Sequence, residues 1–595
     1  MTASRPTGRN RLATNISDVG GPLGEIEPFA DHNSLLLLTD LERISNHVAT
    51  LDSADQVVAE LLRQLKVQIR FDETQLAKIP TKGSLCIVCA QPFGTIEALV
   101  VHDMVRRRRS DVKVFSNMLL SSFPRMHEAA EFIDPGWRLA SRLRNVLSLK
   151  SALRFLAEGG AIGPLPIDDT ALFDHEPWHV VDPTWRQSVA SVLRESGATL
   201  LPISFTGKQN ALHSLANLLS PSHGSAGTRA ADLLTTRIAV EIGRPIRSAE
   251  LQCLDHPEQV EAFLRDRCEL LTLRNEVTKK AKKPRATGFQ PVAPAEGGGL
   301  IEREVDALPE AQRLVSQRGR LVAYARGNEC PALLRELGRL RQIAFRAVGE
   351  GTKEPRDLDQ FDDRYDHLFV WNEQSAEIIG AYRLGRTDSL EQEEQPYSAT
   401  LFRYTPTFFS ELGPALELGR SFVRPEYQRS PAGLIMLWKG IGEYVHRHPR
   451  YRYLLGPVSI SADYGPTSQQ LMVSYMEEHH FASEWASHVT PRMPFDPDNR
   501  RKNLFRRVGR WCDGIAEAGR WVAHLERDDK GLPVLVKSYL QLGGRMLGFN
   551  VDADFGNCVD GLVLVDLLKT NRTTLQQFMG PSAAQSFLSH HGQES

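Results

Sequence analysis

The stretch Lys279-Lys280-Ala281-Lys282-Lys283-Pro284-Arg285, running on to Gly297-Gly298-Gly299, cannot be buried in a core. Its cations repel one another, proline interrupts regular structure, and the glycines leave the backbone unrestrained. It reads as an inter-domain linker at 275–300 and cuts the 595-residue chain in two. Residues 1–30 are polar, rich in Gly, Pro and Asn, and read as a disordered N-terminus. That leaves a first domain over 31–274 and a second over 301–595, each long enough for its own core.

Net charge is −2, so no global field draws the chain to nucleic acid or an anionic membrane, and any such attraction must be local. No apolar run reaches the length of a spanning helix, and Met1-Thr2-Ala3-Ser4-Arg5-Pro6 opens no secretory signal. Seven cysteines, scattered and odd in number, fit reduced thiols and a cytoplasmic location. Cys86-Ile87-Val88-Cys89 lies in an apolar strand pattern with no second pair, so it reads as core packing and no metal site is expected.

In the first domain, Asp40 to Val67 carries helical periodicity, and Ser84 to Ala90 is an apolar strand. A helix follows, then the strand Asp111 to Ser116: a β-α-β beginning that predicts an α/β layered fold. The run Arg106 to Arg109 is either a solvated helix end or a contact for lipid headgroups or an acidic partner. Leu153 to Pro166 reads as a helix end, a glycine cap and a turn. Strands are expected at Thr199 to Phe205 and Ile238 to Ile246, with a closing helix from Glu250.

In the second domain, a helix spans Ala332 to Val348, and an acidic turn follows at Asp357 to Asp362. Strands His367–Trp371 and Ile378–Leu384 come next. Leu416 to Phe422 is a short strand holding Glu417, and the turn after it carries Arg424 and Arg429 beside Arg420 at the strand end. Leu434 to Val445 is an amphipathic helix. A strand, a basic turn and a helix N-terminus form a holder for an anionic arm, because free N–H groups and the positive dipole end converge there. A carboxylate in an apolar strand is costly unless paired or functional. Glu417 is therefore either a general base or the structural partner of Arg420 or Arg383. Tyr453–Ile460 is a further strand, and Leu532–Leu540 with Arg545–Val551 are expected to finish a mixed sheet.

The second domain, over roughly 310–595, resembles the GNAT acyltransferases, and within them the ornithine-lipid branch. The resemblance rests on Gly338 to Arg346, Asp359-Gln360-Phe361-Asp362 with Asp366-His367-Leu368, and Gly380 to Leu384. Glu417-Leu418-Gly419-Arg420, Tyr539 to Gly543 and Asp552-Ala553-Asp554-Phe555 add to it. It implies transfer of a 3-hydroxyacyl chain from acyl carrier protein to the α-amine of an amino acid, ornithine first. The donor would be the carrier's phosphopantetheine thioester, with no bound cofactor. Acetyl-CoA enzymes of this fold wrap a pyrophosphate in a glycine-rich loop. Here Pro431 has no N–H, and Gly433 is the one glycine of Gln428 to Gly433, which suits a single phosphate better. Arg420, Arg424, Gln428, Arg429 and Gly433 are thus the candidate donor-binding residues, and Glu417 the candidate catalytic base. Arg341, Arg346 and Arg383 are the candidate substrate-binding residues; the spacing of the first two equally fits a solvated helix face.

The first domain, over roughly 60–250, resembles the glycerolipid acyltransferases, whose His, followed by an acid, deprotonates a lipid hydroxyl. The matching strand end is Gln91-Pro92-Phe93-Gly94-Thr95-Ile96-Glu97. Glutamine takes up no proton at neutral pH, so Gln91 and Glu97 mark a degenerate motif. His102, eleven residues on, lies beyond the turn. In this order the two domains resemble bifunctional ornithine-lipid synthases. The expectation is therefore a cytoplasmic N-acyltransferase, peripheral at the inner membrane, with α/β architecture in both domains. Its partners would be acyl carrier protein, an amino acid, acyl chains and the membrane surface, not nucleic acid. A first domain active in O-acylation, and a non-catalytic carrier- or lipid-binding scaffold, are the alternatives.

Overall fold

The computed structural model describes residues 44–89, 95–117, 120–121, 123–133, 139–166, 193–194, 196–207, 237–252, 254–280, 289–390 and 395–593. The chain divides into two compact units, 1–280 and 281–595.

Among the described residues, seven strands form the first sheet: β1 (Gln68–Arg70), β2 (Leu85–Cys89), β3 (Val112–Asn117), β4 (Ala130–Ile133), β5 (Ala161–Pro166), β6 (Thr199–Gly207) and β7 (Arg237–Ile242). Their order is β1-β7-β6-β2-β5-β3-β4, and β6–β7 is the one antiparallel pair among these described strands. β2 is buried at every position between β5 and β6, which is why it reads as an unbroken apolar run. Helices α1 (Ala54–Gln64), α2 (Thr95–Arg106), α3 (Leu139–Ala157) and α4 (Pro257–Lys280) accompany the sheet. Burial pushes the Cys86 and Cys89 thiols up, and among the described residues no side-chain group could hold a metal ion.

Two expectations for this unit change. The segment after the glycine cap is not a turn but strand β5: Gly159, at φ 90°, closes α3 and returns the chain directly into the sheet. The arginine run is mostly consumed internally. Arg106 pairs with Asp55, and Arg107 with Asp103 and Glu73. Arg109 pairs with Asp111 and donates to the carbonyls of Pro80, Gly83 and Gly159. Of the four, Arg108 alone has an exposed side chain with no hydrogen bond or ion pair to the described residues.

Among the described residues, the main sheet of the second unit has eight strands: β8 (Arg313–Gln317), β9 (Arg320–Arg326), β10 (Asp366–Asn372), β11 (Glu377–Arg386), β13 (Ala415–Val423), β14 (Tyr453–Ile460), β16 (Arg545–Asp552) and β17 (Cys558–Asp566). The order is β16-β17-β14-β13-β11-β10-β9-β8, and β12 (Phe402–Tyr404) pairs separately with β15 (Val489–Pro491). Every neighbouring pair is antiparallel except β13–β14, which is parallel. The helices are α5 (Gly298–Asp306), α6 (Pro331–Ala347), α7 (Ala432–Arg447), α8 (Pro466–His479), α9 (Lys502–Gly509), α10 (Ile515–Leu525), α11 (Val534–Gln541), α12 (Arg572–Met579) and α13 (Pro581–His590). The start of α5 falls inside the stretch expected as a linker.

The expected strand over Leu532–Leu540 is instead helix α11. Pro533 caps it, and Val536, Tyr539 and Leu540 are buried at helical spacing. The sheet is completed by β17, where eight of nine residues are buried, so its alternation is hidden. Both expected ends of the key element hold: β13 is the strand, and α7 follows its basic turn.

Candidate functional site

β13 and β14 pair at only three positions, Ala415–Glu417 against Tyr453–Leu455, and then diverge. A Cβ on Gly456 would lie 2.1 Å from the Leu418 carbonyl oxygen, so only glycine lets the strands touch at this pivot. On its other edge β13 is bulged. Arg383 faces Gly419 and Ala381 faces Phe422, so Arg420 and Ser421 together oppose Tyr382. Arg420 takes φ 48°, a left-handed conformation unusual for a non-glycine residue. A split in the sheet thus meets a bulge, and side chains and free backbone edges converge there.

A cavity of about 70 Å³ opens at the split. β13 contributes Gly419, Arg420 and Ser421, and β14 contributes Pro457 to Ser459. Tyr382, Tyr397 and Tyr539 line it as well, together with three acidic residues, Glu350, Asp552 and Asp560. Arg420 is the one cationic residue among the described lining.

Burial raises the proton affinity of all three carboxyls, and for Glu350 and Asp560 the neighbouring acids add to it. Burial pushes Glu350 up to about 7, aided by Asp463 and Asp552 and opposed by the Ser459 hydrogen bond and Arg420. Burial, with Asp552 and Glu350 beside it, holds Asp560 well above the usual carboxylate range. Asp552 is raised by burial as well. Three acids against one arginine leave the cavity short of positive charge, and it relieves this by retaining protons.

Beneath Arg420 lies a buried ionic network. Asp357 is 3.2 Å and Asp359 3.4 Å from its guanidinium, which stacks on the Tyr397 and Phe555 rings. Arg383, fully buried, reaches Asp359 at 2.6 Å and Asp362 at 3.2 Å. Arg341, also fully buried, donates to Asp362 at 2.7 Å and to His367 Nδ1 at 3.1 Å, while His367 Nε2 donates to the Asp362 carbonyl. Burial and Arg341 lower His367 to about 4, so it stays neutral in that tautomer.

The structure distributes the sequence-derived site residues among several roles. Arg420 lines the cavity. Arg341 and Arg383 do not; they hold the network that supports Arg420, and neither is a solvated helix-face residue. Glu417 is not among the residues that line the cavity. Its oxygens accept the backbone N–H groups of Ser398 at 2.7 Å and Tyr397 at 3.0 Å, together with the Tyr365 hydroxyl. Among the described residues no cation pairs with it, so the expected partnership with Arg420 or Arg383 gives way to one with backbone donors. Glu417 orders the segment that brings Tyr397 to the cavity wall.

Arg346 donates to the carbonyls of Gln290 and Glu354 and stacks on Phe289, which is a structural use. In the basic turn, Arg424 is taken by Glu377 and Glu426, and Gln428 caps the Val423 carbonyl. Gly433 packs α7 against Val423 and Ile379. None of these lines the cavity; Arg429 alone remains an exposed cation of that turn. In the first unit Glu97 is fully buried, and His102 is buried with Nε2 3.5 Å from Asp55. Gln91 lies outside the described residues.

Glu350, Asp552 and Asp560 are not among the sequence-derived site residues. Asp560 carries the signal that singles out Glu417, an acid in the apolar run Cys558-Val559-Asp560-Gly561-Leu562. Glu350 follows Gly349 after a helix and carries no such signal.

The Glu417 geometry predicts the effect of Glu417→Gln. The amide loses acceptor capacity against its three donors, so thermal unfolding should shift down by an amount worth about 2 kcal/mol. If Glu417 only positions Tyr397, turnover falls but its pH profile keeps its midpoint. A profile whose midpoint disappears would return Glu417 to the role of base.

Residues 340–439 match the family model described as an acetyltransferase (GNAT) domain. The chain is 31% identical over 258 residues to a glycine N(alpha)-acyltransferase of Phocaeicola vulgatus, which spans 40% of this chain and 77% of that protein. It is 30% identical over 274 residues to the glycine N(alpha)-acyltransferase of Bacteroides thetaiotaomicron, spanning 42% of this chain and 79% of the relative. An L-ornithine N(alpha)-acyltransferase of Brucella abortus is 30% identical over 219 residues, 34% of this chain and 68% of its own length.

Proposed function

This chain belongs to the amino-acid N(alpha)-acyltransferases of the GNAT group, and on that premise we propose that its second unit makes an N-acylated amino-acid lipid from a carrier-borne 3-hydroxyacyl thioester. The observation that carries the reading is the acid-lined cavity at the split between β13 and β14, with Arg420 turned into it by the bulge. An α-amine is mostly ammonium at neutral pH and must lose a proton before it attacks. A carboxyl group titrating near 7 has the proton affinity that task needs, and Glu350 is the group raised to about 7. The neutral amine adds to the thioester carbonyl, the C–S bond breaks, and the carrier thiol leaves with a proton. Glu350, backed by Asp552 and Asp560, takes up the ammonium proton. The free backbone edge of the split suits an extended, amide-bearing arm such as phosphopantetheine. Arg429 is left to meet the carrier's phosphate or its acidic surface. No bound cofactor is needed for this chemistry.

The charge imbalance favours ornithine as acceptor. Its side-chain ammonium brings a second positive charge to a lining of three carboxyls and one arginine, whereas glycine brings one. Ornithine should exceed glycine in kcat/KM by about tenfold, and Asp552→Asn should narrow that ratio. Competition assays read by mass spectrometry check this; glycine used as well as ornithine by wild type and variant alike sinks it.

The first unit fits a glycerolipid-acyltransferase-like module without its own base. Glu97 is buried, and His102, within α2, is buried with its Nε2 against Asp55 of α1. The product would then be the monoacylated lipid, handled at a membrane surface. Among the described residues no helix is long and apolar enough to cross a membrane.

The test is a lipid extract from an aminolipid-free host expressing the full chain, paired with purified protein, an acyl carrier thioester and amino acids. A monoacylated amino-acid lipid supports the reading. Thiol release without an amide product, or carrier binding with no turnover, overturns it. A diacylated product made by the purified chain would give the first unit an O-acyltransferase activity.

A further inference from the structure

We propose that α3 of the first unit is a membrane-surface helix that lies on anionic lipid headgroups and sinks Leu143, Val146 and Leu147 into the bilayer interface. These three are 57%, 46% and 64% exposed, and their i, i+3, i+4 spacing sets them in one stripe. The other exposed large apolar residues among those described, including Ile435, Met493 and Val534, stand singly on separate elements. Isolated exposed apolar side chains are normal on protein surfaces; a stripe on one helix marks an interaction face.

The opposite face of α3 is held to its own unit. Ala152 and Leu156 are buried, Ser148 donates to the Phe132 carbonyl, and Ser151 donates to Glu131. Inner packing fixes the helix, and the outer stripe has no partner among the described residues. Charge identifies the occupant. α3 carries Arg142, Arg144, Lys150 and Arg154 and no acidic residue, in a chain of net charge −2. Lys150 and Arg154 are exposed and continue the Leu143–Leu147 stripe along the helix, and exposed Arg144 flanks it. A basic helix with an apolar outer stripe is the pattern of an in-plane membrane binder. The stripe is too narrow for a second copy of this chain, because a stable dimer needs on the order of 1,200 Å² or more. The arginine run Arg106–Arg109, the other sequence candidate for lipid contact, is mostly spent on internal pairs, which leaves this role to α3.

The experiment is flotation of the full chain with vesicles of phosphatidylcholine alone or mixed with phosphatidylglycerol, at low and high salt. Wild type should bind the anionic vesicles at least tenfold better than the neutral ones, and less at high salt. Lys150→Glu with Arg154→Glu should weaken that binding at least tenfold, since each cation near an anionic surface is worth about fivefold. These exposed side chains carry no fold-critical pair among the described residues, so this variant stays informative. Leu143→Ser with Leu147→Ser should also lose at least tenfold on both vesicle types, with an unchanged thermal midpoint and unchanged acyl transfer to a soluble acceptor. Binding equal to wild type in both variants overturns the proposal. So does a stripe variant that turns a dimer into a monomer while vesicle binding persists, which would make the stripe a contact between copies.

Discussion

Replacing Glu350 by Gln should lower kcat/KM for the amine acceptor by about 10²-fold or more, the usual contribution of a positioned general base. The pH profile is the sharper readout. Below about 7, Glu350 holds its proton and cannot take one from the ammonium. Activity in wild type should therefore rise close to tenfold per pH unit up to about 7, then level off, and Glu350→Gln should flatten that limb. The folded-state value is raised above the ordinary 4.5, so ionising Glu350 between 4.5 and about 7 also costs the fold stability. Activity and stability should thus move in opposite directions across this window, and the variant should lose both trends. A variant with wild-type activity and an unchanged limb would remove Glu350 from the chemistry and direct attention to Asp560, whose Asn variant is the companion measurement.

Arg383→Met should destabilise the second unit by about 3–5 kcal/mol, the range for removing one partner from a buried ion pair. Methionine keeps much of the volume, so the loss is electrostatic. Asp359 and Asp362 would keep their charges in a buried setting, with Arg341 and Arg420 left to answer them. The acid side of the transition gives the sign. Burial pushes Asp362 up, but Arg341 and Arg383 outweigh it and hold the carboxyl well below its ordinary 3.8. That depressed value stabilises the fold above about pH 4, and the stabilisation is lost as pH falls further. The gap between wild type and Arg383→Met in denaturant midpoints should therefore be full at pH 7 and shrink below pH 4. A gap under about 1 kcal/mol at pH 7 would mean that the network is not what holds β11 to the acidic turn.

Local sequence set a good part of this architecture. Apolar runs gave β2, β10, β11 and β14, and helical spacing gave α6 and α7, because those elements bury faces whose periodicity is written along the chain. It failed at β5, where Gly163-Pro164 interrupts the apolar run, at β17, where Asp560-Gly561 does, and at α11, which is short enough to pass for a strand. The acid-in-apolar-strand argument singled out Glu417, the basic turn singled out Arg420, and the family resemblance singled out Arg341 and Arg383; of these four, Arg420 alone lines the cavity.

What those residues do was decided by the tertiary structure. Whether a buried carboxylate faces a cavity or a pair of backbone donors depends on what packs opposite it, and nothing in the order Leu416-Glu417-Leu418 states that Ser398 and Tyr397 will present their N–H groups. The split between β13 and β14 comes from where pairing stops, and the bulge at Arg420 from the two-against-one register with β11. Glu350, Asp552 and Asp560 come from three separate elements. Their raised proton affinity comes first from burial and then, for Glu350 and Asp560, from neighbouring carboxyls, and neither cause can be read from any one segment.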